Sequence, residues 1–509
     1  MNRQPPFKSN SIRGLSGRAA ASRQRGSRFS TNEGRQDTTA TFRKRLVRGH
    51  DSILADTERR RARFVSGHAR NSTQRQTIAC KLRRVPDLLL SYYGDDFTGS
   101  TDALESLTLA GVPTVLFTAP PSDDQLARHP DLRALGVAGM TRSMQPAEMT
   151  QALAPAFAEL NRLGAPIVHY KVCSTFDSSP TVGSLGPVIE LGISTFGGRC
   201  IPIVVGAPAL GRYCVFGNLF ARSGAGSEPH RLDRHPSMSR HPVTPMNEAD
   251  LRIHLAQQTR RSIGLVDITS VMSPADDALA VFKQAAGAFE IVFIDLLHEG
   301  NLAIVGRMLA TGGAGRFVIG SSGVESALCA FWHEAGAIGP RAAIGRAAAA
   351  KGPILAVCGS CSPVTAAQIE WAARHGFVEV TLDPASPDAP AALAAIRAAL
   401  AGKQSVVLHT QSARRVDSQQ AAGLGAALGA IVNQCLAETR LGRVIVAGGD
   451  TSGAIAGALR IESMRMIAEL TRGAPLVRVD APSSPADGIE MVFKGGQIGP
   501  VDFFGQVRG

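Results

Sequence analysis

Asp95 and Asp96 stand side by side where the apolar run LLLSYYG ends, just ahead of Thr98-Gly99-Ser100-Thr101. Adjacent carboxylates at a strand end can hold sugar hydroxyls, take a proton, or help bind a metal ion. Two further polar turns follow apolar runs in the same way. Thr141-Arg142-Ser143 follows the run ending at Ala138, and Lys171-Val-Cys173-Ser174-Thr175-Phe-Asp177-Ser178 follows the run that starts at Ile167. Arg142 can fork onto a carboxylate and Lys171 can add a point charge, although a surface salt bridge explains either residue equally well. Farther along come three glycine-rich turns: Cys358-Gly-Ser360-Cys361-Ser362, Ala447-Gly448-Gly449-Asp450-Thr451-Ser452-Gly453, and Lys494-Gly495-Gly496-Gln497-Ile498-Gly499. Glycine lets backbone approach a phosphate, and helix N-termini offer free N–H groups to anions. Each turn alone is common; together they could cradle a nucleotide.

The elements that position these residues alternate. Short apolar runs predict strands at 88–93, 114–117, 135–138, 167–171, 201–205, 263–267, 291–295 and 317–320, with helices between them. Strand, acidic turn, helix, strand opens a parallel α/β sheet, whose ligands sit at the carboxyl ends of strands. The Ala- and Gly-rich stretch 335–352 reads as a helix and linker. A second block follows, with strands at 353–358, 405–409 and 443–446 and helices at 366–375 and over the Ala-rich stretch that contains Gly423–Gly429. The expected fold is therefore α/β: two α/β domains with largely parallel sheets and an active-site cleft between them. Residues 1–86 form a leader, 87–332 the first domain, 333–352 the linker and 353–509 the second domain.

Composition narrows the function classes. A chain of 509 residues exceeds one ordinary core. The net charge is +12, but residues 1–85 alone carry 21 Lys and Arg against 5 Asp and Glu, so the remainder is acidic. The leader is rich in Arg, Ser, Gln and Gly and lacks apolar periodicity, so it reads as disordered and not as a nucleic-acid arm. No apolar stretch reaches about 18 residues, so no membrane span is expected. The eight cysteines are scattered, without a secretory leader, so reduced thiols in the cytoplasm are expected. Cys358 and Cys361 make one CxxC without the second pair a zinc site needs. His230, His235 and His241 lie in a proline-broken loop between Ser223 and Pro245, without metal-ligand spacing, and no metal-ligand set is assigned. There is no GxxxxGK[ST], and the Gly423–Gly429 run lacks a preceding strand, which disfavours an NAD enzyme.

Taken in order, the motifs resemble the four-carbon acid sugar kinase family. They are GDDFTGSTD at Gly94–Asp102, TRS at Thr141–Ser143, YKVCSTFDSS at Tyr170–Ser179, HPVTPM at His241–Met246, GSCSPVTAAQ at Gly359–Gln368, AGGDTSG at Ala447–Gly453 and KGGQIG at Lys494–Gly499. The resemblance runs from about Leu88 to the C-terminus and leaves the leader outside. It implies an N-terminal acid-sugar-binding domain, a C-terminal nucleotide-binding domain, and ATP-dependent phosphorylation of a tetronate, 3-oxo-tetronate or related branched sugar acid. It implies nucleotide contacts at Ser360, Gly448, Gly449, Asp450, Thr451 and Gly496.

On this reading the sugar acid lies among Asp95, Asp96, Arg142, Ser143, Lys171, Ser174, Thr175 and Asp177. Its carboxylate faces Arg142 and Lys171, and one aspartate aligns or deprotonates the attacking hydroxyl. Mg²⁺ would bridge ATP's phosphate oxygens, with Asp450 as one candidate to hold it, directly or through water. The expected partners are small molecules; no nucleic acid or membrane is expected, and a homodimer stays open. Two rival classes remain. A hydrolase or aldolase would use the Asp pair and Lys171 without ATP, and a sugar-acid-binding protein would bind without turnover. Which acid, which hydroxyl and which aspartate is the base are not legible.

Overall fold

Among the described residues fifteen strands form one sheet, and its strand senses explain where the carboxyl ends meet. A computed structural model describes residues 87–509, apart from 225, 242, 361, 384–388 and 411–417. The leader therefore lies outside the described residues. In chain order the strands are β1 (Leu90–Gly94), β2 (Thr114–Phe117), β3 (Ala134–Ala138), β4 (Ile167–Lys171), β5 (Ile201–Val204), β6 (Arg212–Val215), β7 (Asn218–Arg222), β8 (Pro229–Arg231) and β9 (Ile263–Val266). They continue with β10 (Ile291–Ile294), β11 (Phe317–Gly320), β12 (Ile354–Cys358), β13 (Phe377–Leu382), β14 (Ser405–Thr410), β15 (Arg443–Ala447), β16 (Ser463–Thr471), β17 (Ala474–Asp480) and β18 (Glu490–Lys494).

The front block, β2-β3-β1-β4-β11-β5-β10-β9, is parallel throughout, as buried apolar runs with helical crossovers require. The rear block, β13-β14-β12-β15-β18, is parallel as well. Between them run β17 and β16, joined by three antiparallel pairings: β18 to β17, β17 to β16, and β16 to β2. Three reversals mean that the two parallel blocks point in opposite senses. β16 pairs with β2 only through Ser463 and Met464, and its register shifts twice farther along. Such irregularities bend a strand.

Helix Phe97–Leu109 fills the bend. Asp96 caps it by accepting the Gly99 N–H at 2.9 Å. It packs on β2 and β3 of the front block and on β16, β17 and β18 behind. Phe97 lies 4.8 Å from the ring of Phe493 on β18, and burying such a side chain contributes about 2 kcal/mol. One core cluster contains Leu104 and Leu107 of this helix together with Val477 and Phe493. At mid-helix, Glu105 Oε2 accepts the N–H of Gly473 in the β16–β17 turn at 2.6 Å.

Two local expectations change. Residues 335–352 contain no helix: Ala342 N–H bonds to Leu109 O, Arg346 bridges Glu469, and Ala350 N–H bonds to Arg508 O. The alanines favour helix, but backbone partners in both blocks hold the segment extended. The histidine loop is partly ordered as β8, which with β6 and β7 forms a small antiparallel sheet, and as two short 3-10 turns. His235 and His241 act there as turn caps. His235 Nδ1 accepts the Ser237 and Met238 N–H groups, and His241 Nδ1 accepts that of Thr244. Among the described residues no helix is long and apolar enough to cross a membrane.

Candidate active site

Three strand ends of the front block bring the polar turns together. β1 delivers Asp95 and Asp96, β3 leads to the turn Thr141–Ser143, and β4 ends at Lys171. The ladder continues past the strands: Asp95 N–H donates to Lys171 O at 2.8 Å, and Arg142 N–H donates to Asp95 O at 3.0 Å. The three turns are therefore fixed side by side by backbone.

The two aspartates differ. Asp96 is tied from three directions. Arg142 Nη2 and Thr98 Oγ1 each donate to Oδ2 at 2.8 Å, and Gly99 N–H donates to Oδ1. Burial raises its pKa, but Arg142, Lys171 and these hydrogen bonds outweigh burial and leave the group below the usual carboxylate range. Asp95 is buried too, yet its Oδ1 has no partner among the described residues. Burial pushes it up to about 7, with Asp96 and Asp177 raising it further against the opposing pull of Arg142 and Lys171. Asp96 is thus a fixed anion, and Asp95 is a carboxylate that can exchange a proton near neutral pH.

Lys171 does not reach outward. It is 1% exposed, donates to Val172 O at 3.1 Å and pairs with Asp102 Oδ2 at 3.6 Å. It lies beneath Gly99, where a Cβ would stand 3.2 Å from Nζ. Its charge acts on Asp95 and Asp96 from below. The loop after β4 brings Thr175 and Asp177 together through a Thr175 Oγ1–Asp177 Oδ1 hydrogen bond, and Cys173 Sγ lies 3.0 Å from Thr175 Oγ1. Ser174 and Asp177 are half-buried. Ser143 is exposed and its hydroxyl donates to Met140 O.

The rear turns converge at the carboxyl ends of β12, β15 and β18. Gly359 N–H donates to Ala447 O and Gly448 N–H to Lys494 O. Gly448 has φ +123°, which a side chain rarely tolerates, and from there helix Gly449–Ala458 starts. A Cβ on Gly359 would stand 2.2 Å from Thr451 Oγ1, and one on Gly496 would stand 2.1 Å from Ser360 Oγ. The six residues that the resemblance implies for nucleotide contact therefore lie in neighbouring turns, with Asp450 exposed. Two supports were not foreseen. Thr365 Oγ1 donates to Gly496 O, and the fully buried Lys494 donates to Thr365 Oγ1, burial pulling its amine down to about 8. The signal was present in Gly359–Gln368 and Lys494–Gly499, but pairing of the two segments is a tertiary fact. Cys358 is buried beneath the turn, its thiol pushed up to about 12, and Cys361 lies outside the described residues.

Front and rear turns come close at Gly449. A Cβ on Gly449 would stand 3.3 Å from Asp96 Oδ2, 3.5 Å from Arg142 Nη2 and 3.9 Å from Thr98 Oγ1. Beside it, Gly453 abuts the Met140 sulfur, at 2.5 Å from a Cβ. The free N–H end of the rear helix therefore faces the acidic turn of the front block.

Comparisons with known proteins fit this division. A profile described as a sugar-binding N-terminal domain matches residues 90–328, and one described as a nucleotide-binding C-terminal domain matches 355–504. A Paraburkholderia graminis protein named 3-oxo-isoapionate kinase is 46% identical over 449 residues, covering 83% of this chain and 94% of its own. A Methylobacterium radiotolerans 3-oxo-tetronate kinase is 31% identical, over 82% of this chain and 98% of its own. Among solved structures, a Salmonella typhimurium LT2 chain aligns with TM-score 0.66 at 25% identity, covering 82% of this chain and 98% of that one.

Proposed function

The chain belongs to the four-carbon acid sugar kinases, which transfer a phosphoryl group from ATP to a sugar acid, and from that premise we propose how its residues divide the work. The acceptor acid lies against the turns after β1, β3 and β4, touching Asp95, Ser143, Ser174, Thr175 and Asp177. The nucleotide lies on Ser360, Gly448, Gly449, Asp450, Thr451 and Gly496, with its terminal phosphate at the seam. The supporting observation is the contact of Gly449 with the Asp96–Arg142 pair, which sets an anion-binding helix end beside the acidic turn.

In the transfer, the acceptor hydroxyl oxygen bonds to the γ-phosphorus as the bond to the ADP oxygen breaks. The hydroxyl proton passes to Asp95, whose unpartnered Oδ1 and pKa near 7 suit a base at neutral pH. Asp96 cannot serve equally, because three donors occupy it. Lys171, buried beneath, lowers the pKa of both carboxylates by its charge. Mg²⁺, when bound with ATP, would neutralise phosphate charge; the exposed Asp450 carboxylate at the helix start suits one of the few protein ligands such an ion takes. The chemistry fits a cytoplasmic setting, where ATP is abundant and the described cysteines stay free thiols.

For the acceptor, a branched 3-oxo acid of the 3-oxo-isoapionate type ranks first and 3-oxo-tetronate second, following the identities above. The test is ADP release over a panel of 3-oxo-isoapionate, 3-oxo-tetronates and tetronates. Acid-dependent release supports the reading; ATP-independent consumption of an acid would favour the hydrolase or aldolase class.

A further inference from the structure

Arg142 has two places to go, and its surroundings choose between them. Its guanidinium carries five N–H donors, and among the described residues its one hydrogen bond goes to Asp96 Oδ2 at 2.8 Å. The side chain keeps 29% exposure at the seam, so donors remain for a ligand. Nη2 lies 3.5 Å from the point where a Cβ of Gly449 would sit, and Gly449 is the first residue of the rear helix. The guanidinium therefore lies at the seam, beside the first residue of the rear helix. Lys171, the other nearby cation, is buried and committed to Asp102 and Val172 O.

We propose that Arg142 contacts the phosphoryl group in flight and is not the ligand of the sugar acid's carboxylate. It acts as an arginine supplied from the acceptor half to the nucleotide half, and Asp96 sets its orientation. Charge spreads over three equatorial oxygens in phosphoryl transfer, and a planar guanidinium neutralises two of them at once. Arg142 forms no covalent bond: the phosphoryl group leaves the ADP oxygen, bonds to the acceptor oxygen, and the proton goes to Asp95.

The inference rests on the kinase reading, and the test separates the two. Wild-type protein, Arg142→Lys and Arg142→Gln are compared for kcat, for KM of the acid, for ADP affinity, and for affinity toward ADP with aluminium fluoride and the acid. In both variants kcat is expected to fall about 10³-fold. KM for the acid and ADP affinity stay within about threefold, and tight binding of the aluminium fluoride complex is lost. Lysine keeps the charge and an ion pair to Asp96, so its failure reports loss of the fork and not of the fold. A tenfold or larger rise in KM with kcat retained, or unchanged aluminium fluoride affinity, overturns the role of Arg142. A wild-type enzyme that releases no ADP with any acid overturns the kinase reading instead.

Discussion

Gly449 lies against Asp96: a Cβ on the glycine would stand 3.3 Å from Oδ2 of the aspartate, although 353 positions separate them in the chain. The contact joins the two parallel blocks at their carboxyl ends, and on the proposed reading the transfer chemistry crosses it. Anything that widens or fills this gap should disturb both substrates at once.

Gly449→Val inserts a branched side chain between the helix end and the Asp96–Arg142 pair. ATP affinity and kcat should both fall by at least tenfold. Gly457→Ala, on the same helix with open space around it, should leave both unchanged and add about 0.5–1 kcal/mol of helix stability. Isothermal titration with ATP and steady-state rates check both. Equal effects from the two variants would make the loop merely structural.

Asp95→Asn removes the proposed base without altering size. The rate should fall by about 10²–10⁴-fold with nucleotide affinity within twofold of wild type. Asp96→Asn should also abolish most turnover, by releasing Arg142, while asparagine still caps the helix. Normal turnover in either variant removes that residue from the mechanism.

Activity should follow the ionisation of Asp95. A base must be unprotonated, and burial holds this one near 7, so kcat/KM should rise with pH through an acidic limb near pH 7. Lys171→Met removes a cation that lowers the Asp95 pKa, so the limb should move to higher pH. A limb near pH 4 in the wild type would mean that Asp95 is not the titrating base.

Glu105 offers a stability test away from the chemistry. Burial raises its pKa to about 7, so between about pH 4.5 and 7 the folded state binds more protons than the unfolded one. Stability present at low pH is then lost as pH rises through 7, a cost of about 3 kcal/mol by pH 8. Glu105→Gln should therefore raise the melting temperature more at pH 8 than at pH 5. Calorimetry at the two pH values decides; equal shifts would mean that the carboxyl is not held neutral.

The front block was readable because buried parallel strands are short apolar runs, and all eight runs are strands, with ends within two residues. The rear block was only half readable. β16 reads SMRMIAELT, a mixed pattern whose two register shifts break the alternation, so it gave no clear strand signal. With β16 and β17 unseen, the continuous sheet and the opposed strand senses could not be inferred. The site turns were visible as small polar residues after strands, but their meeting was not. In the sequence Lys171 reads as a substrate ligand or a surface salt bridge, because a strand-end charge commonly serves either way; only the packed helix above it, with Gly99 and Asp102, shows why it is buried.

A crystal structure with a non-hydrolysable ATP analogue and the acceptor acid tests the shared site most directly, through the distance from the γ-phosphorus to the acceptor hydroxyl oxygen. The expected result is a separation of about 3–3.5 Å, with the phosphate between Gly449 and Arg142 and the hydroxyl at Asp95. A triphosphate seated away from the Gly448–Asp450 turn, or an acid bound outside the β1, β3 and β4 turns, would contradict it.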